Sequence, residues 1–164
     1  MADQIRPPGF SRLAFVIPFL LTDTIANGEE IGWRGYVLPR LQAKHSALAA
    51  ALITGVIWTV WHTPKFLTHW DWGFFAVYMV STIARSVLLA WIYNGTRGSL
   101  LLVVLAHAAM NTTGIFLPTA NTLTTEGLGA FALQAGIEVI VAAAIVRLAG
   151  AENLSRTQAR QAQA

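Results

Sequence analysis

Residues 99–117 read SLLLVVLAHAAMNTTGIFL, an apolar stretch interrupted in its middle by one histidine and one asparagine. Ser99 is a suitable N-cap residue, Pro118 follows the stretch, and about 20 apolar residues suffice for a helix to cross a membrane. His107 and Asn111 are four residues apart, so they share one face of this helix. Polar groups this deep in a membrane segment usually face other helices or a water-filled cavity. The stretch therefore predicts a membrane helix with one buried polar face.

The rest of the chain has the same apolar character. Hydrophobic residues make up 55% of the 164 residues and charged residues only 12%, about half of the charge of a typical soluble domain. The other apolar blocks cover residues 11–41, 46–62, 74–93 and 127–148. We expect the first of these, 11–41, either to bend near Pro18 or Asn27-Gly28, or to divide into two helices at Asn27-Gly28. The sequence thus predicts an all-α fold, a polytopic membrane helix bundle of about five membrane helices.

The ends of the chain are more polar than its centre. We expect a polar N-terminal segment at residues 1–10, one helical core at 11–149, and a polar, frayed tail at 150–164. When the first block is counted as one span, the lysines and arginines place the C-terminus in the cytoplasm by the positive-inside rule. The net charge of +3 is scattered rather than clustered, which argues against nucleic-acid binding. The absence of cysteine excludes disulfides, thiolate metal sites and cysteine nucleophiles.

Two adjacent acidic residues open the second half of the first block. Glu30 and Arg34 are four apart and can pair on one helix face, whereas Glu29 points about 100° away. This separation suits one carboxylate neutralised by arginine and another free to act as a general base. The alternative is an interfacial helix end with a solvated salt bridge. Asp23 is expected to cap the break before this motif, with lining of a cavity as its alternative role.

Two further polar pairs stand at helical spacing. Trp58 and His62 close the block at 46–62, where a histidine could also serve only the helix dipole or the membrane interface. The pair His107 and Asn111 could likewise serve only to form hydrogen bonds between packed helices. Together with Glu29 these residues supply a carboxylate, two imidazoles and a carboxamide, which suffice to hydrolyse a peptide bond with activated water. Spacing shows that each pair shares a face, and it leaves open whether the faces converge.

Outside these motifs, two ionisable residues lie in the middle of apolar blocks. Arg85 and Glu138 are the candidates for an ion pair between helices, because a lone charge at such a position is costly in a membrane.

The three motifs resemble, in their order and membrane spacing, those of the CAAX protease and bacteriocin-processing family of intramembrane endopeptidases, also called the abortive-infection family. The motifs in this chain are Glu29-Glu30-x-x-x-Arg34, Trp58-x-x-x-His62 and His107-x-x-x-Asn111. The resemblance covers residues 13–117, and Trp58 stands where the family more often has phenylalanine. Family members usually carry further membrane helices before the first motif. Because about ten residues precede the first helix here, we expect a minimal or incomplete member.

The resemblance implies roles for individual residues. Glu29 would activate the attacking water together with His62, and His107 and Asn111 would form the oxyanion site. The supporting residues would be Glu30, Arg34 and Trp58.

The resemblance also bears on cofactors, substrates and location. A divalent metal such as zinc stays open, with Glu29, His62 and His107 as its donors, although no His-Glu-x-x-His motif is present. The expected substrate is a peptide or protein in the membrane, either a prenylated CAAX tail or a leader or bacteriocin-type peptide. The expected location is the bacterial plasma membrane. The alternatives are a non-catalytic immunity or scaffold protein of the same fold and a small transporter, for which no inverted repeat is visible.

Overall fold

The computed structural model describes residues 9–26, 28–66, 72–116 and 125–155, and all regular structure in these ranges is helical. This confirms the predicted all-α class. The elements are α1 (Gly9–Ala26), α2 (Glu29–Gly32), a π-helical turn (Trp33–Val37), α3 (Leu38–Gln42), α4 (Ala47–His62), a 3-10 turn (Thr63–Phe66), α5 (Trp72–Gly95), α6 (Leu100–Phe116) and α7 (Thr125–Ala149).

The predicted first block is divided, as in the two-helix alternative. Helix α1 ends at Ala26 and α2 begins at Glu29, while Asn27 lies outside the described residues. From Glu29 the chain stays helical to Gln42, with the wider π-helical pattern at Trp33–Val37. Single π-helical turns inside α-helices occur often at functional sites. This one begins at Trp33, three residues after the second of the two adjacent acids.

Local signals in the sequence set several helix ends. The Ser46 hydroxyl accepts a hydrogen bond from the Ala49 N–H at 3.3 Å and so caps α4. After α5 the chain reverses through a left-handed Gly98 (φ 84°), whose N–H donates to the Tyr93 carbonyl at 2.8 Å. Ser99 then stands directly before α6, as predicted.

Helix α5 organises the bundle, since it packs against α4, α6 and α7, while α1 packs on α6. The approach of α4 to α5 depends on Gly55, because a Cβ atom there would lie 2.9 Å from the Cα of Ile83. The Ser86 hydroxyl donates across the same contact to the Ala51 carbonyl at 2.7 Å. Small residues at such crossings let the backbones of membrane helices come close.

The expected Arg85–Glu138 pair is present and joins α5 to α7. The Arg85 Nε lies 2.8 Å from Glu138 Oε1, and both side chains are largely buried. Ser81 donates to the other carboxylate oxygen, and Gln134 Nε2 donates to Oε1 at 2.9 Å. The acid is therefore satisfied by three donors inside the bundle.

The first residues of the expected frayed tail are instead packed against the bundle. Gly150 turns the chain back (φ 80°), and the carbonyls of Ala151 and Glu152 accept hydrogen bonds from the first turn of α4. The N–H groups of a first helical turn lack partners within the helix, so outside acceptors stabilise them. The Leu154 side chain is fully buried. The tail prediction is therefore wrong for residues 151–155, whereas 156–164 lie outside the described residues.

In the part of the chain that the structure describes, two helices are long and apolar enough to cross a membrane by length and composition, Trp72–Gly95 and Leu128–Ala149. The apolar helix Ala47–His62 has 16 residues and a length of about 24 Å, less than a hydrocarbon layer of about 30 Å. A bundle of membrane helices fits these findings, and the number of about five spans stays a prediction.

Candidate active site

Glu29 lies at the start of α2 with its side chain 36% exposed, so it is the accessible member of the acidic pair. Its Oε2 accepts hydrogen bonds from the indole N–H groups of Trp58 at 2.9 Å and Trp33 at 3.4 Å. Its Oε1 lies 3.7 Å from the Nε2 of His62. Two indoles therefore fix one carboxylate oxygen of Glu29, and its other carboxylate oxygen faces the His62 imidazole.

His62 is the last residue of α4, and its ring is buried. Its Nδ1 lies 3.0 Å from the Trp58 carbonyl oxygen. Since a carbonyl only accepts, Nδ1 carries the hydrogen of this bond, and Nε2 of the neutral ring is an acceptor directed at Glu29. The Tyr78 ring packs against the imidazole with centroids 5.9 Å apart.

Glu30 and Arg34 are fully buried and form the predicted pair, with Arg34 Nη1 2.8 and 3.0 Å from the two carboxylate oxygens. The pair has an additional partner from α6, because His107 Nδ1 lies 2.7 Å from Glu30 Oε1. A carboxylate bonded to arginine accepts, so His107 donates from Nδ1. Glu30 thus holds a predicted site residue directly, in addition to supporting its own helix.

Trp58 is in contact with Glu29, with both imidazoles and with Arg34. Besides its bond to Glu29, its ring lies 5.1 Å from the His107 ring and 6.0 Å from the His62 ring, centroid to centroid. The Arg34 guanidinium carbon lies 4.8 Å from the Trp58 ring centroid. This cation–π contact compensates in part for Arg34 Nε and Nη2, which are buried without a hydrogen-bond partner among the described residues.

Asn111 lies one helical turn beyond His107, and its Nδ2 donates to Asp23 Oδ2 of α1 at 3.1 Å. The favoured prediction for Asp23, a cap for the break before the motif, is wrong. No side chain caps the start of α2 in the described residues. Because Asp23 lies inside α1 on the side that packs against α6, its carboxylate reaches across to Asn111 instead.

The predicted catalytic residues thus form two groups, one of Glu29, His62 and His107 and the other of Asn111 with its partner on α1. Glu29 and His62 face each other directly, and His107 joins them through Trp58. Asn111 follows on the same helix and is bound from α1, with no bond to Glu29 or His62 among the described residues. Sequence reasoning missed Trp33, although its position four residues after Glu29 signals a shared face. It also missed Tyr78, for which the sequence carries no comparable signal.

The donor set expected for a metal does not converge. The described residues contain no group of three or more His, Asp or Glu side chains placed to hold a metal ion. His107 directs Nδ1 at Glu30 rather than joining Glu29 and His62.

Known proteins match this chain across the whole site. The family described as type II CAAX prenyl endopeptidase Rce1-like matches residues 9–113, more than half of the chain and all of the predicted site residues. CAAX prenyl protease 2 of Methanococcus maripaludis is 27% identical over 148 residues, which cover 84% of this chain and 52% of that protein. The chain therefore spans about half the length of this curated relative. The family match confirms the resemblance carried by the three motifs, and the chain belongs to the Rce1-like family of type II CAAX prenyl endopeptidases.

Proposed function

We propose that this chain carries the catalytic site of an intramembrane endopeptidase, in which Glu29 and His62 activate the water that hydrolyses a peptide bond. The observation that carries the proposal is the approach of Glu29 Oε1 to His62 Nε2, at 3.7 Å, beside a carboxylate oxygen held by indole donors. The family match supports the same activity.

The two groups are suited to orient one water molecule. Both the Glu29 carboxylate and Nε2 of neutral His62 accept hydrogen bonds, so a water between them donates one hydrogen to each. Its lone pair is then free to attack the substrate carbonyl carbon. As the C–O bond forms, Glu29 or His62 takes the proton of the water. The C–N bond then breaks, the proton passes to the leaving nitrogen, and the products are a carboxylate and an amine.

His107 and Asn111 are proposed to bind the oxyanion that forms on the substrate carbonyl. His107 uses Nδ1 for Glu30, so it donates to the oxyanion from Nε2 when the ring carries both protons. Asn111 uses one hydrogen of Nδ2 for Asp23 and has a second for the substrate. Removing one such donor typically lowers kcat by about 10²–10³-fold.

The proposed substrate is a membrane-bound peptide with a prenylated CAAX end. The name of the Methanococcus maripaludis relative supports this class over a leader or bacteriocin-type peptide. The surface near Glu29 is apolar, since Trp33 and Trp61 meet edge to face and Trp61 is 67% exposed. An apolar rim of this kind suits a substrate presented from the lipid phase.

A direct test is cleavage of a fluorogenic prenylated CAAX peptide by the purified full chain in liposomes. We expect Glu29→Gln to lower kcat/KM by about 10²–10⁴-fold, the usual contribution of a general base. The matched control is Glu152→Gln, the same change at an exposed position. Equal cleavage by wild type and Glu29→Gln, or no cleavage by wild type, contradicts the proposal.

Two additional arms of this experiment test the substrate and the metal. An unprenylated copy of the peptide and a leader-type peptide should be cleaved more slowly than the prenylated one. No step of the proposed reaction is assigned to a metal, so EDTA should leave the rate unchanged. Loss of activity in EDTA that is restored by zinc assigns the water activation to a metal instead.

We further propose that the chain crosses a bacterial plasma membrane about five times, with its C-terminus in the cytoplasm. The stretch Glu29–Gln42, about 21 Å long, is too short to cross alone, so α1 to α3 cross as one unit before α4, α5, α6 and α7. Because the chain has no cysteine, Ala164→Cys introduces a single thiol. A membrane-impermeant thiol reagent should label it only after the cells are permeabilised.

A further inference from the structure

The polar face of α6 is bound by two acids from the helices before α4. Glu30 of α2 binds His107 at 2.7 Å, and Asp23 of α1 binds Asn111 at 3.1 Å. The two bonds join residues 77 and 88 positions apart in the chain. In each bond the acid accepts from a side chain that is assigned to the oxyanion site.

Asp23 differs from the buried acids Glu30 and Glu138 in having no arginine partner among the described residues. Among the described residues its carboxylate is bonded to Asn111, and no ion pair with a basic side chain is formed. Asp23 is half-buried in an apolar helix. A carboxylate without a counter-ion is costly in such a segment, and its retention there favours a functional reason.

The chemistry of the bond determines which way the Asn111 amide faces. A carboxylate only accepts hydrogen bonds, so Nδ2 and not Oδ1 must face Asp23. The amide group is planar, and its second N–H therefore has a fixed direction away from Asp23. A flipped amide would present Oδ1 in place of a donor, and this oxygen would repel an oxyanion.

We propose that Asp23 is a positioning residue that locks the Asn111 amide with an N–H directed at the developing oxyanion. This inference rests on the proposed function, because it assigns Asn111 to the oxyanion site. Asp23 acts through Asn111 and does not touch the substrate.

The competing explanation is that the bond only fastens α1 to α6. A fastening bond contributes to the stability of the bundle and changes kcat only through the folded fraction. A positioning bond depends on the charge of Asp23, because only an ionised carboxylate excludes the flipped amide. Substitutions that keep either the charge or the shape of the Asp23 side chain therefore distinguish the two explanations.

The test compares Asp23→Asn, which keeps the shape, with Asp23→Glu, which keeps the charge. We expect Asp23→Asn to lower kcat about tenfold with KM unchanged, the effect of losing a hydrogen bond to a charged group. Asp23→Glu should retain more kcat than Asp23→Asn. The matched control is Thr24→Val, which removes the neighbouring hydroxyl that bonds within α1 to the Leu20 carbonyl. Thr24→Val should leave kcat at the wild-type value.

A second measurement shows whether Asp23 acts through Asn111. In an Asn111→Ala background, Asp23→Asn should cause no further loss of kcat. If the two residues acted independently, the fold-losses of the two substitutions would multiply. The side-chain amide protons of Asn111, observed by NMR after selective ¹⁵N-asparagine labelling, should shift in Asp23→Asn and stay unchanged in Thr24→Val. Unshifted signals in Asp23→Asn would overturn the proposal.

Failure of this inference is distinguishable from failure of the proposed function. When Glu29→Gln cleaves like wild type, the proposed function is refuted. When Glu29→Gln is inactive and Asp23→Asn keeps the wild-type kcat, the hydrolytic site stands and only the positioning role of Asp23 is refuted.

Discussion

Two acid–arginine pairs lie among the described residues of this bundle, and their surroundings differ. Glu30 and Arg34 are neighbours on one helix, are completely buried, and contact His107 and Trp58. Glu138 and Arg85 come from different helices and keep 11% and 16% side-chain exposure. The partners of the first pair belong to the candidate active site, whereas those of the second are hydroxyl and amide groups.

This difference indicates that a buried charge pair alone does not mark a functional site. The pair between α5 and α7 holds two helices together, and its polar partners only complete the hydrogen bonding of the acid. The pair between α2 and the π-helical turn orients an imidazole, because its acid accepts from Nδ1 of His107. What a pair touches, rather than its burial, separates the two roles.

Of the changes to these two pairs, Glu30→Gln should give the largest effect on catalysis. An amide in place of the carboxylate removes the negative charge that faces His107, so the doubly protonated ring that donates to the oxyanion from Nε2 loses its counter-ion. We expect kcat to fall by about 10²–10³-fold, as for the loss of one oxyanion donor. The measurement is the cleavage rate per folded molecule, with the folded fraction taken from circular dichroism.

Glu138→Gln makes the same change in the other pair and is the matched control. It should lower the melting temperature while the rate per folded molecule stays at the wild-type value. Equal losses of rate in Glu30→Gln and Glu138→Gln would remove the distinction between the two pairs.

Arg85→Met should give the largest effect on stability. The change leaves Glu138 without its cation, and breaking a buried pair from one side typically costs about 3–5 kcal/mol. Because both side chains keep some exposure and Ser81 and Gln134 continue to donate to Glu138, we expect about 2 kcal/mol here, below that range. The measurement is the free energy of unfolding in mixed micelles. Replacing both members, as Arg85→Met with Glu138→Leu, should recover most of the loss, and a larger loss would contradict a purely structural pair.

Trp58→Phe should give a smaller effect on catalysis than Glu30→Gln and tests the hydrogen bonding of Glu29. The change removes the 2.9 Å hydrogen bond from the indole to Glu29 Oε2 and keeps an aromatic ring beside His107. We expect kcat/KM to fall about tenfold, the low end for a hydrogen bond to a charged group. Trp33→Phe, which removes the longer 3.4 Å bond to the same oxygen, should cost less than Trp58→Phe. The reverse order would show that distance does not rank these two donors.

The length and low charge of the apolar blocks were sufficient to predict the all-α class, and helix periodicity was sufficient to predict the Glu30–Arg34 pair. The Arg85–Glu138 pair followed from the cost of isolated charges in apolar segments. The bonds from Glu30 to His107 and from Asp23 to Asn111 could not be predicted, because periodicity defines a face and does not say which helix covers it. The docking of residues 151–155 was missed for another reason: it includes hydrogen bonds accepted by the backbone carbonyls of residues 151–153, which carry no side-chain signature.

The docking of Ala151 and Glu152 on the start of α4 has a consequence for synthesis. The N–H groups of Ala47 and Leu48 are bonded by residues that leave the ribosome more than 100 positions later. At about 5–20 residues per second, these N–H groups wait roughly 5–20 s for their acceptors. During that interval a translocon or chaperone has access to the unfinished start of the helix. Emergence of residues 151 and 152, after helix α7, therefore completes the hydrogen bonding at the start of α4.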